Sequence, residues 1–312
     1  MNEEFAKDIK EGLSQHPKRM YSKYFYDEKG DKLFQEIMKM EEYYLTRSEY
    51  EIFSMKKKQI FDAINLDNKA LQLVEFGAGD GLKTKVLLDY LVNEKVDFEY
   101  LPIDISESVL KQLSSDLSKR WPEMNVKPIQ KTYFKALEGL SSKKRKLVLF
   151  LGSNIGNFNQ KEAKKFLSEI NNHLNTGDYL LIGADLKKDP NVILDAYNDH
   201  KGITRSFNLN LLERINREFD GNFEIDQFKH YPTYDPISGE TKSFLVSMKD
   251  QAVQLKKLST SFEFKYAEPV FLEISKKYSL EELEEMAKES NFSLVEHFHD
   301  CKHYFVNTLW KK

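Results

Sequence analysis

Short apolar runs alternate with helix-like runs between residues 70 and 185, and this alternation limits the possible folds more than any other feature of the chain. The predicted strands cover residues 70–76, 98–104, 146–152 and 179–185, with a weaker edge strand around Pro128. Runs with helical spacing lie between most of them. Alternating strands and helices are typical of a parallel sheet with helices on both faces. The sequence therefore predicts an α/β fold.

The C-terminal segment predicts a different pattern, a helix followed by an antiparallel hairpin. Ser279 and Glu282 form a capping-box pair at the start of the helix. The strand-like runs "FSLVEHFHD" and "HYFVNTLW" follow, separated by a tight turn. This layout differs from that of dinucleotide-binding domains. It resembles the Rossmann-like, seven-stranded sheet of S-adenosylmethionine-dependent methyltransferases, in which the last strand is inserted antiparallel.

Such a sheet does not need the residues between Leu186 and Tyr278, which contain both helical and strand-like patterns. Together with the helical N-terminal residues they predict a second, α+β lobe. We expect residues 60–188 and 279–312 to form an S-adenosylmethionine-binding domain. We expect residues 1–59 and 189–278 to form a substrate-binding lobe.

Charge and cysteine content argue against several classes of protein. With 47 Lys and Arg against 50 Asp and Glu, the chain lacks the basic excess that drives binding to nucleic-acid phosphates. Its single cysteine, Cys301, excludes an internal disulfide framework and a cysteine-based metal cluster. No apolar run approaches the length of a membrane span, and the first residues lack the apolar region of a secretory signal. We expect a cytoplasmic protein that binds neither nucleic acid nor membrane.

The run "VEFGAGDGLKTK" places Gly77, Gly79 and Gly81 between a strand and a helix. Glycines in such a loop let backbone N–H groups approach a ligand closely. The spacing differs from the G-x-G-x-x-G of dinucleotide-binding folds and lacks the Gly-Lys-Ser/Thr of phosphate-binding loops. Asp104, at the end of the second strand, is positioned to accept hydrogen bonds from ribose hydroxyls, as in both NAD and methyl-donor proteins.

Glu75, two residues before the first of these glycines, favours one of the two ligands. Its carboxylate would repel a pyrophosphate but would favour the sulfonium and ammonium groups of S-adenosylmethionine. The C-terminal hairpin favours the same ligand. S-adenosylmethionine is therefore the predicted cofactor, with Glu75 among its contacts, and a nicotinamide enzyme is the alternative.

Several strings extend this prediction from a class to a family. They are "YFYDEKGDKLFQEI", "LVEFGAGDGLKT", "LVLFLGSNIGNF", "LIGADLKKD", "AYNDHKGITRSFNLNLL" and "LEISKKY". Over residues 10–312 the sequence resembles the histidine Nα-methyltransferase family of the ergothioneine pathway. The resemblance implies a monomeric, two-lobed enzyme that methylates the α-amino nitrogen of a small amino acid successively. With histidine as substrate, the product would be the trimethylated betaine hercynine.

The resemblance also implies roles for particular residues. Asn157 matches the residue that holds the α-amino and carboxylate groups, and an amide supplies both the donor and the acceptor for this. Gly152 would present its backbone to the amine or the cofactor. Tyr197 matches a carboxylate-binding tyrosine, Tyr43 an aromatic residue against the imidazole, and Tyr26 a residue near the amine. Asn157 and Tyr26 are therefore the predicted catalytic residues.

Glu273 and Ser275 predict histidine as the substrate. They alternate along one predicted strand, so both side chains point to the same face. A carboxylate and a hydroxyl on one face can hydrogen-bond the two ring nitrogens of an imidazole. Ser243 stands where the bacterial histidine enzymes have a bulkier methionine. This smaller residue leaves room for a larger or modified substrate.

For the cofactor, the positions that match the family are Gly77, Gly79, Lys83 and Asp104. Lys83 would pair with the methionine carboxylate. Tyr133 replaces an acidic residue that the family usually places beside the adenine, so Phe134 is expected to contact the adenine by stacking.

Methyl transfer to an amine depends mainly on alignment of a neutral nitrogen and exclusion of water. It requires no metal, and we predict none. Two alternatives to a histidine enzyme remain open. One is a member of the same family acting on another amino acid, such as tryptophan or a modified histidine. The other is a catalytically idle homologue that retains a ligand pocket.

Overall fold

The computed structural model describes residues 3–67, 69–140 and 143–312. The chain forms two compact units, each built from two separate segments. Unit 1 comprises Met1–Tyr44 and Lys188–Ser275, and unit 2 comprises Leu45–Lys187 and Lys276–Lys312.

The described residues form ten α-helices: α1 Glu3–Ser14, α2 Glu28–Ile37, α3 Leu45–Asp62, α4 Thr84–Asn93, α5 Glu107–Arg120, α6 Tyr133–Leu137, α7 Gln160–His173, α8 Pro190–Tyr197, α9 Ile203–Phe219 and α10 Leu280–Glu289. They also form strands β1 Lys18–Arg19, β2 Leu71–Phe76, β3 Phe98–Asp104, β4 Asn125–Val126, β5 Ile129–Gln130, β6 Arg145–Phe150, β7 Tyr179–Asp185, β8 Phe228–Asp235, β9 Glu240–Ser247, β10 Gln251–Leu255, β11 Thr260–Phe264, β12 Pro269–Lys276, β13 Ser293–His299 and β14 Phe305–Lys311. Across these described ranges, none of the helices combines the length and the apolar composition needed to cross a membrane.

Unit 2 contains a sheet with the strand order β13-β14-β7-β6-β2-β3-β4, and β5 also pairs with β3. Strands β2, β3, β6 and β7 are parallel. Strand β14 is antiparallel to both of its neighbours, β7 and β13. The prediction of a Rossmann-like sheet with its last strand inserted antiparallel is therefore confirmed. The predicted third strand is split into β4 and β5, since Pro128 between them has no N–H to donate to a ladder.

Local sequence explains the central strands and the starts of the helices in unit 2. Every residue of β2, β6 and β7 is buried, as expected for parallel strands covered on both faces. Ser106 is the N-cap of α5 and accepts a hydrogen bond from the backbone N–H of Val109. Ser279 and Glu282 form the predicted capping box of α10. A second capping box, at Asn159 and Glu162, begins α7 and was not predicted.

Unit 1 is an α+β unit, as predicted. Its larger sheet has the order β1-β12-β9-β8, in which β8 and β9 are antiparallel and β1 and β12 parallel. Strands β10 and β11 form a separate hairpin. The hydrophobic core of the unit joins α1, α9 and the sheet, with Phe5, Phe207, Leu245 and Leu272 among its buried residues.

The boundaries between the units differ from those predicted. The first lies between Tyr44 and Leu45 rather than at residue 59, so the whole of α3 belongs to unit 2. The physical reason is that α3 buries Ile52, Phe53 and Ile60 and bonds to other parts of unit 2. One such bond joins Ser48 Oγ to the Asp300 carboxylate at 3.2 Å. The other two boundaries lie within three residues of the predicted ones.

Candidate active site

The glycine loop follows β2 and is held by backbone hydrogen bonds. The N–H groups of Gly77 and Ala78 donate to the Ile103 carbonyl at 2.8 and 3.3 Å. Gly77 and Gly79 have φ angles of +66° and +54°, a left-handed conformation that favours glycine. A Cβ atom at Gly77 would lie 3.0 Å from the Tyr133 hydroxyl, whereas a Cβ atom at Gly79 would meet no atom within 4 Å. The loop is therefore closely packed at its start and open at Gly79.

Asp104 ends β3 beside this loop. One carboxylate oxygen accepts from the Ser106 N–H at 2.9 Å, and the other faces the Gly79 N–H at 3.4 Å. An ionised carboxylate has about four acceptor positions, so it can accept further hydrogen bonds from hydroxyl groups. This arrangement fits the predicted contact with a ribose.

The two aromatic residues that begin α6 have different environments. The Tyr133 ring packs against Phe76, Phe150 and Phe166, with 5.0 Å between the Tyr133 and Phe76 centroids. Burial and the charge of Asp104 raise the pKa of Tyr133 to about 12, so its hydroxyl stays protonated. Phe134 is 41% exposed, and its ring and that of Phe166 are in an edge-to-face arrangement with centroids 5.7 Å apart. The exposed ring of Phe134 is therefore suited to the predicted stacking on an adenine.

Glu75 has a different environment from the one that its position in the sequence suggested. The side chain is 3% exposed, and Thr84 and Tyr100 donate hydrogen bonds to its two carboxylate oxygens. Burial raises the pKa of Glu75 to about 7, against the opposing effect of these hydrogen bonds. Near neutral pH the side chain is therefore partly protonated. In this arrangement Glu75 is hydrogen-bonded to the first residue of α4, and its contact with a cofactor remains a prediction.

Lys83, the predicted partner of a methionine carboxylate, forms an ion pair with Glu49 of α3. Glu49 is fully buried and also accepts from the Gly152 N–H at 2.9 Å and from Asn307 Nδ2 at 2.9 Å. The sequence analysis missed Glu49. The sequence contained a signal for it, because helical spacing places Glu49 on the same face of α3 as Leu45, Ile52 and Phe53. A charged residue on such an apolar face is unusual.

Gly152 and Asn157 follow β6. Gly152 has a φ angle of +72°, and a Cβ atom there would lie 3.3 Å from Lys83 Nζ. Asn157 ends a short 3-10 helix, Asn154–Asn157, and is exposed. Because β2, β3 and β6 are adjacent and parallel, the glycine loop, Asp104 and Gly152 all lie at the carboxyl edge of one sheet.

In unit 1, the structure brings together three of the predicted substrate residues. The hydroxyls of Tyr197 and Ser275 hydrogen-bond at 2.8 Å, and both residues are buried. The Tyr43 ring meets the Tyr197 ring edge-on, with centroids 6.4 Å apart. Glu273, half-buried, lies two residues before Ser275 on β12.

The other two predicted residues of unit 1 have different surroundings. Tyr26 is 46% exposed, and its ring contacts Phe34 and Phe207, each with centroids 5.5 Å apart. Ser243 is 1% exposed and shares the buried face of β9 with Leu245, a residue of the hydrophobic core. The roles of both residues remain predictions.

The site in unit 2 combines an open glycine loop, a carboxylate at the end of β3, an exposed aromatic ring and an ammonium group. These groups fit the ribose, the adenine and the charged amino-acid end of S-adenosylmethionine. With the antiparallel last strand, they are the arrangement of an S-adenosylmethionine-dependent methyltransferase.

The family match and the sequence relatives of the chain agree with this assignment. The family described as histidine-specific, SAM-dependent methyltransferases matches residues 5–312. A histidine N-alpha-methyltransferase of Mycolicibacterium smegmatis is 32% identical over 88% of this chain and 85% of its own length. Ergothioneine biosynthesis protein 1 of Schizosaccharomyces pombe is 30% identical over 91% of this chain and 38% of its own length. The solved structure of the CcbJ methyltransferase from Streptomyces caelestis has a TM-score of 0.45 at 14% identity, covering 83% of this chain and 95% of that chain.

The chain therefore belongs to the family of histidine-specific, S-adenosylmethionine-dependent methyltransferases. The predicted resemblance, fold class, enzyme class and cofactor are confirmed.

Proposed function

We propose that this protein methylates the α-amino nitrogen of L-histidine and repeats the transfer until the trimethylated betaine, hercynine, is formed. The observation that carries the proposal is the hydrogen bond between Tyr197 and Ser275 in unit 1. Glu273 lies two residues before Ser275 on β12. A carboxylate and a hydroxyl on one strand match the two nitrogens of an imidazole. The tyrosine hydroxyl is a donor for the substrate carboxylate.

The proposed assignments in unit 2 concern the methyl donor and the reacting nitrogen. Bound S-adenosylmethionine would supply a methyl group activated by its sulfonium. Gly79 and Asp104 would hold the ribose, Lys83 the methionine carboxylate, and Phe134 the adenine. Asn157 would orient the α-amino nitrogen through its amide oxygen, so that the lone pair of the neutral amine is aligned.

The experiment is a turnover panel of all twenty amino acids with S-adenosylmethionine, read by mass spectrometry. We expect products carrying one, two and three methyl groups from histidine and none from the other amino acids. Nα,Nα-dimethylhistidine should be converted to the trimethylated product, which tests successive transfer directly.

Other outcomes of the panel would correct the proposal in specific ways. Methylation of another amino acid with histidine inert would overturn the substrate assignment and leave the family assignment unaffected. Methylation of tryptophan in the panel, or of a modified histidine assayed beside it, would support the role of Ser243 in enlarging the pocket. Binding of histidine and S-adenosylhomocysteine without turnover would indicate an idle homologue.

The proposal includes a monomer that acts on a free amino acid in the cytoplasm. The single cysteine supports the cytoplasmic location, and the nearly balanced charge supports a small-molecule substrate rather than a nucleic acid. Size-exclusion chromatography with light scattering tests the oligomeric state. A stable dimer would contradict this part of the proposal.

A further inference from the structure

Glu49 of α3 joins four parts of unit 2 through one buried carboxylate. Its oxygens accept from the Gly152 N–H and from Asn307 Nδ2, both at 2.9 Å, and form the ion pair with Lys83. On β7, a Cβ atom at Gly183 would lie 2.0 Å from Glu49 Oε1. The sheet therefore accommodates this carboxylate only because residue 183 is a glycine.

The stability of the fold alone does not explain a buried, charged residue such as Glu49. Removing two charges from water is costly, and buried ion pairs can often be replaced by apolar residues with no loss of stability. Two of the groups bound by Glu49, Lys83 and the N–H of Gly152, lie at the edge of the sheet where the proposed ligands bind. This location indicates a role in arranging the site.

Lys83 shows what the ion pair achieves. A lysine side chain has a flexible four-carbon stem, and its ammonium group has three N–H donors. Contact with Glu49 uses one of these donors and holds Nζ beside Gly152. A Cβ atom built on Gly152 would lie 3.3 Å from Lys83 Nζ. The remaining donors can bind a ligand carboxylate without first immobilising the side chain.

We propose that Glu49 is a positioning residue for the methyl-donor site, which holds the Lys83 ammonium where it binds the carboxylate of the donor's amino-acid end. This inference rests on the proposed function for the identity of the ligand. It adds a residue that acts through Lys83 and touches no ligand itself.

The test measures the affinity of purified full-length variants for two probes by calorimetry. S-adenosylhomocysteine carries the amino-acid end, and 5′-methylthioadenosine has the same adenosine without it. We expect Glu49→Gln to weaken binding of S-adenosylhomocysteine roughly tenfold, the effect of losing one charge-assisted hydrogen bond. Binding of 5′-methylthioadenosine should change less than about twofold, because that probe lacks the carboxylate.

The Glu49→Gln substitution preserves volume and leaves hydrogen-bonding options. Within the described part of the chain, Oδ1 of Asn307 has no hydrogen-bond partner, so a rotated Asn307 amide can accept from the new glutamine. Glu99 supplies the matched control. It is also a buried carboxylate of unit 2, on β3, paired with Lys127 and Lys144. Glu99→Gln should leave the affinity for both probes unchanged.

Lys83→Met provides a second route to the same answer, because it removes the ammonium group itself while the Glu49 carboxylate keeps its hydrogen bonds from the Gly152 N–H and Asn307 Nδ2. It should weaken the binding of S-adenosylhomocysteine but not that of 5′-methylthioadenosine. Adding Glu49→Gln to this variant should cause no further loss of affinity. Additive losses in the double variant, equal weakening of both probes, or unchanged or tighter S-adenosylhomocysteine binding would each overturn the inference.

The two proposals fail in distinguishable ways. If the wild type binds and methylates histidine while Glu49→Gln retains normal affinity for S-adenosylhomocysteine, the proposed function stands and the role of Glu49 is wrong. If the wild type binds neither probe, the proposed function is wrong, and the inference about Glu49 is wrong with it.

Discussion

The glycine loop of unit 2 and the Tyr197–Ser275 pair of unit 1 are held in place by different means. In unit 2, the glycine loop is fixed by backbone N–H groups that donate to the Ile103 carbonyl. In unit 1, Tyr197 and Ser275, 78 residues apart in the chain, are joined by a hydrogen bond between their side-chain hydroxyls. Backbone contacts suit a ligand that is the same in every turnover. Side-chain contacts suit a ligand that must be distinguished from its relatives.

This comparison yields a general expectation. Substitutions at the proposed donor contacts of unit 2 should change the affinity for the methyl donor and leave the preference among amino acids intact. Substitutions at the proposed side-chain contacts of the amino acid in unit 1 should change that preference and leave the affinity for the donor intact.

The largest effect is expected from Asp104→Asn in unit 2. Loss of the carboxylate charge weakens its hydrogen bonds to ribose hydroxyls, and charged hydrogen bonds contribute roughly 1.5–3 kcal/mol. The Kd for S-adenosylhomocysteine should rise roughly tenfold to a hundredfold, with the KM for histidine nearly unchanged. Calorimetry and steady-state kinetics measure the two quantities. Asp116→Asn, a partly exposed position on α5, is the control. A change confined to the histidine KM would contradict the division between the units.

A smaller and more selective effect is expected from Glu273→Gln in unit 1. The kcat/KM for histidine should fall roughly tenfold, because an imidazole nitrogen loses a charged partner. The Kd for S-adenosylhomocysteine should stay constant. Glu263→Gln, at an exposed position on β11, is the matched control. Equal losses in histidine turnover and donor affinity would show that Glu273 acts on the fold of the unit.

The smallest functional effect is expected from Glu75→Gln, which tests whether this residue is structural. The folded-state pKa of Glu75 is raised from 4.5 to about 7, so the folded state favours the protonated form. Its contribution to stability is fully present below pH 4.5 and is lost as pH rises through 7. Glu75→Gln should therefore gain stability relative to wild type between pH 5 and pH 8, on the order of 3 kcal/mol. Denaturant unfolding across this range measures the difference.

Glu99→Gln is again the control. Burial opposes ionisation of Glu99, but hydrogen bonds from Lys127, Gln72 and Lys144 lower its pKa to about 2. Its stabilising effect is therefore present above pH 4.5 and is lost only as pH falls toward 2, so it should be constant between pH 5 and pH 8. A pH-independent effect of Glu75→Gln, or a large loss of donor affinity, would support the prediction that Glu75 contacts the cofactor.

Much of unit 2 was predictable because its signals are local. Strands β2, β6 and β7 are continuous apolar runs, and the caps at Ser106 and Ser279 lie at the start of helical periodicity. The antiparallel pairing of β13 with β14 follows from the terminal hairpin, and the position of β14 beside β7 was predicted from the resemblance to the methyltransferase sheet. The domain boundary at Tyr44 and Leu45 was missed, because α3 has the same local pattern in either unit. Only the contacts of its buried face assign it to unit 2.

The two buried acidic residues Glu75 and Glu49 show what local sequence patterns cannot predict. The sequence showed a carboxylate beside the glycines at Glu75 and another on an apolar helix face at Glu49. It could not show that Thr84 and Tyr100 donate hydrogen bonds to Glu75. Nor could it show that Glu49 pairs with Lys83 and accepts hydrogen bonds from Gly152 and Asn307.

The sequence by itself determined the α/β class, the glycine loop, the family and the residue types available to hold the ligands, because periodicity and motifs are properties of neighbouring residues. Only the tertiary structure decided which carboxylate forms an ion pair with Lys83, which tyrosine hydrogen-bonds Ser275 and how far the pKa of Glu75 is raised. Those properties depend on burial and on atoms brought together from distant parts of the chain, and each changes with a displacement of about 1 Å in a hydrogen-bond distance.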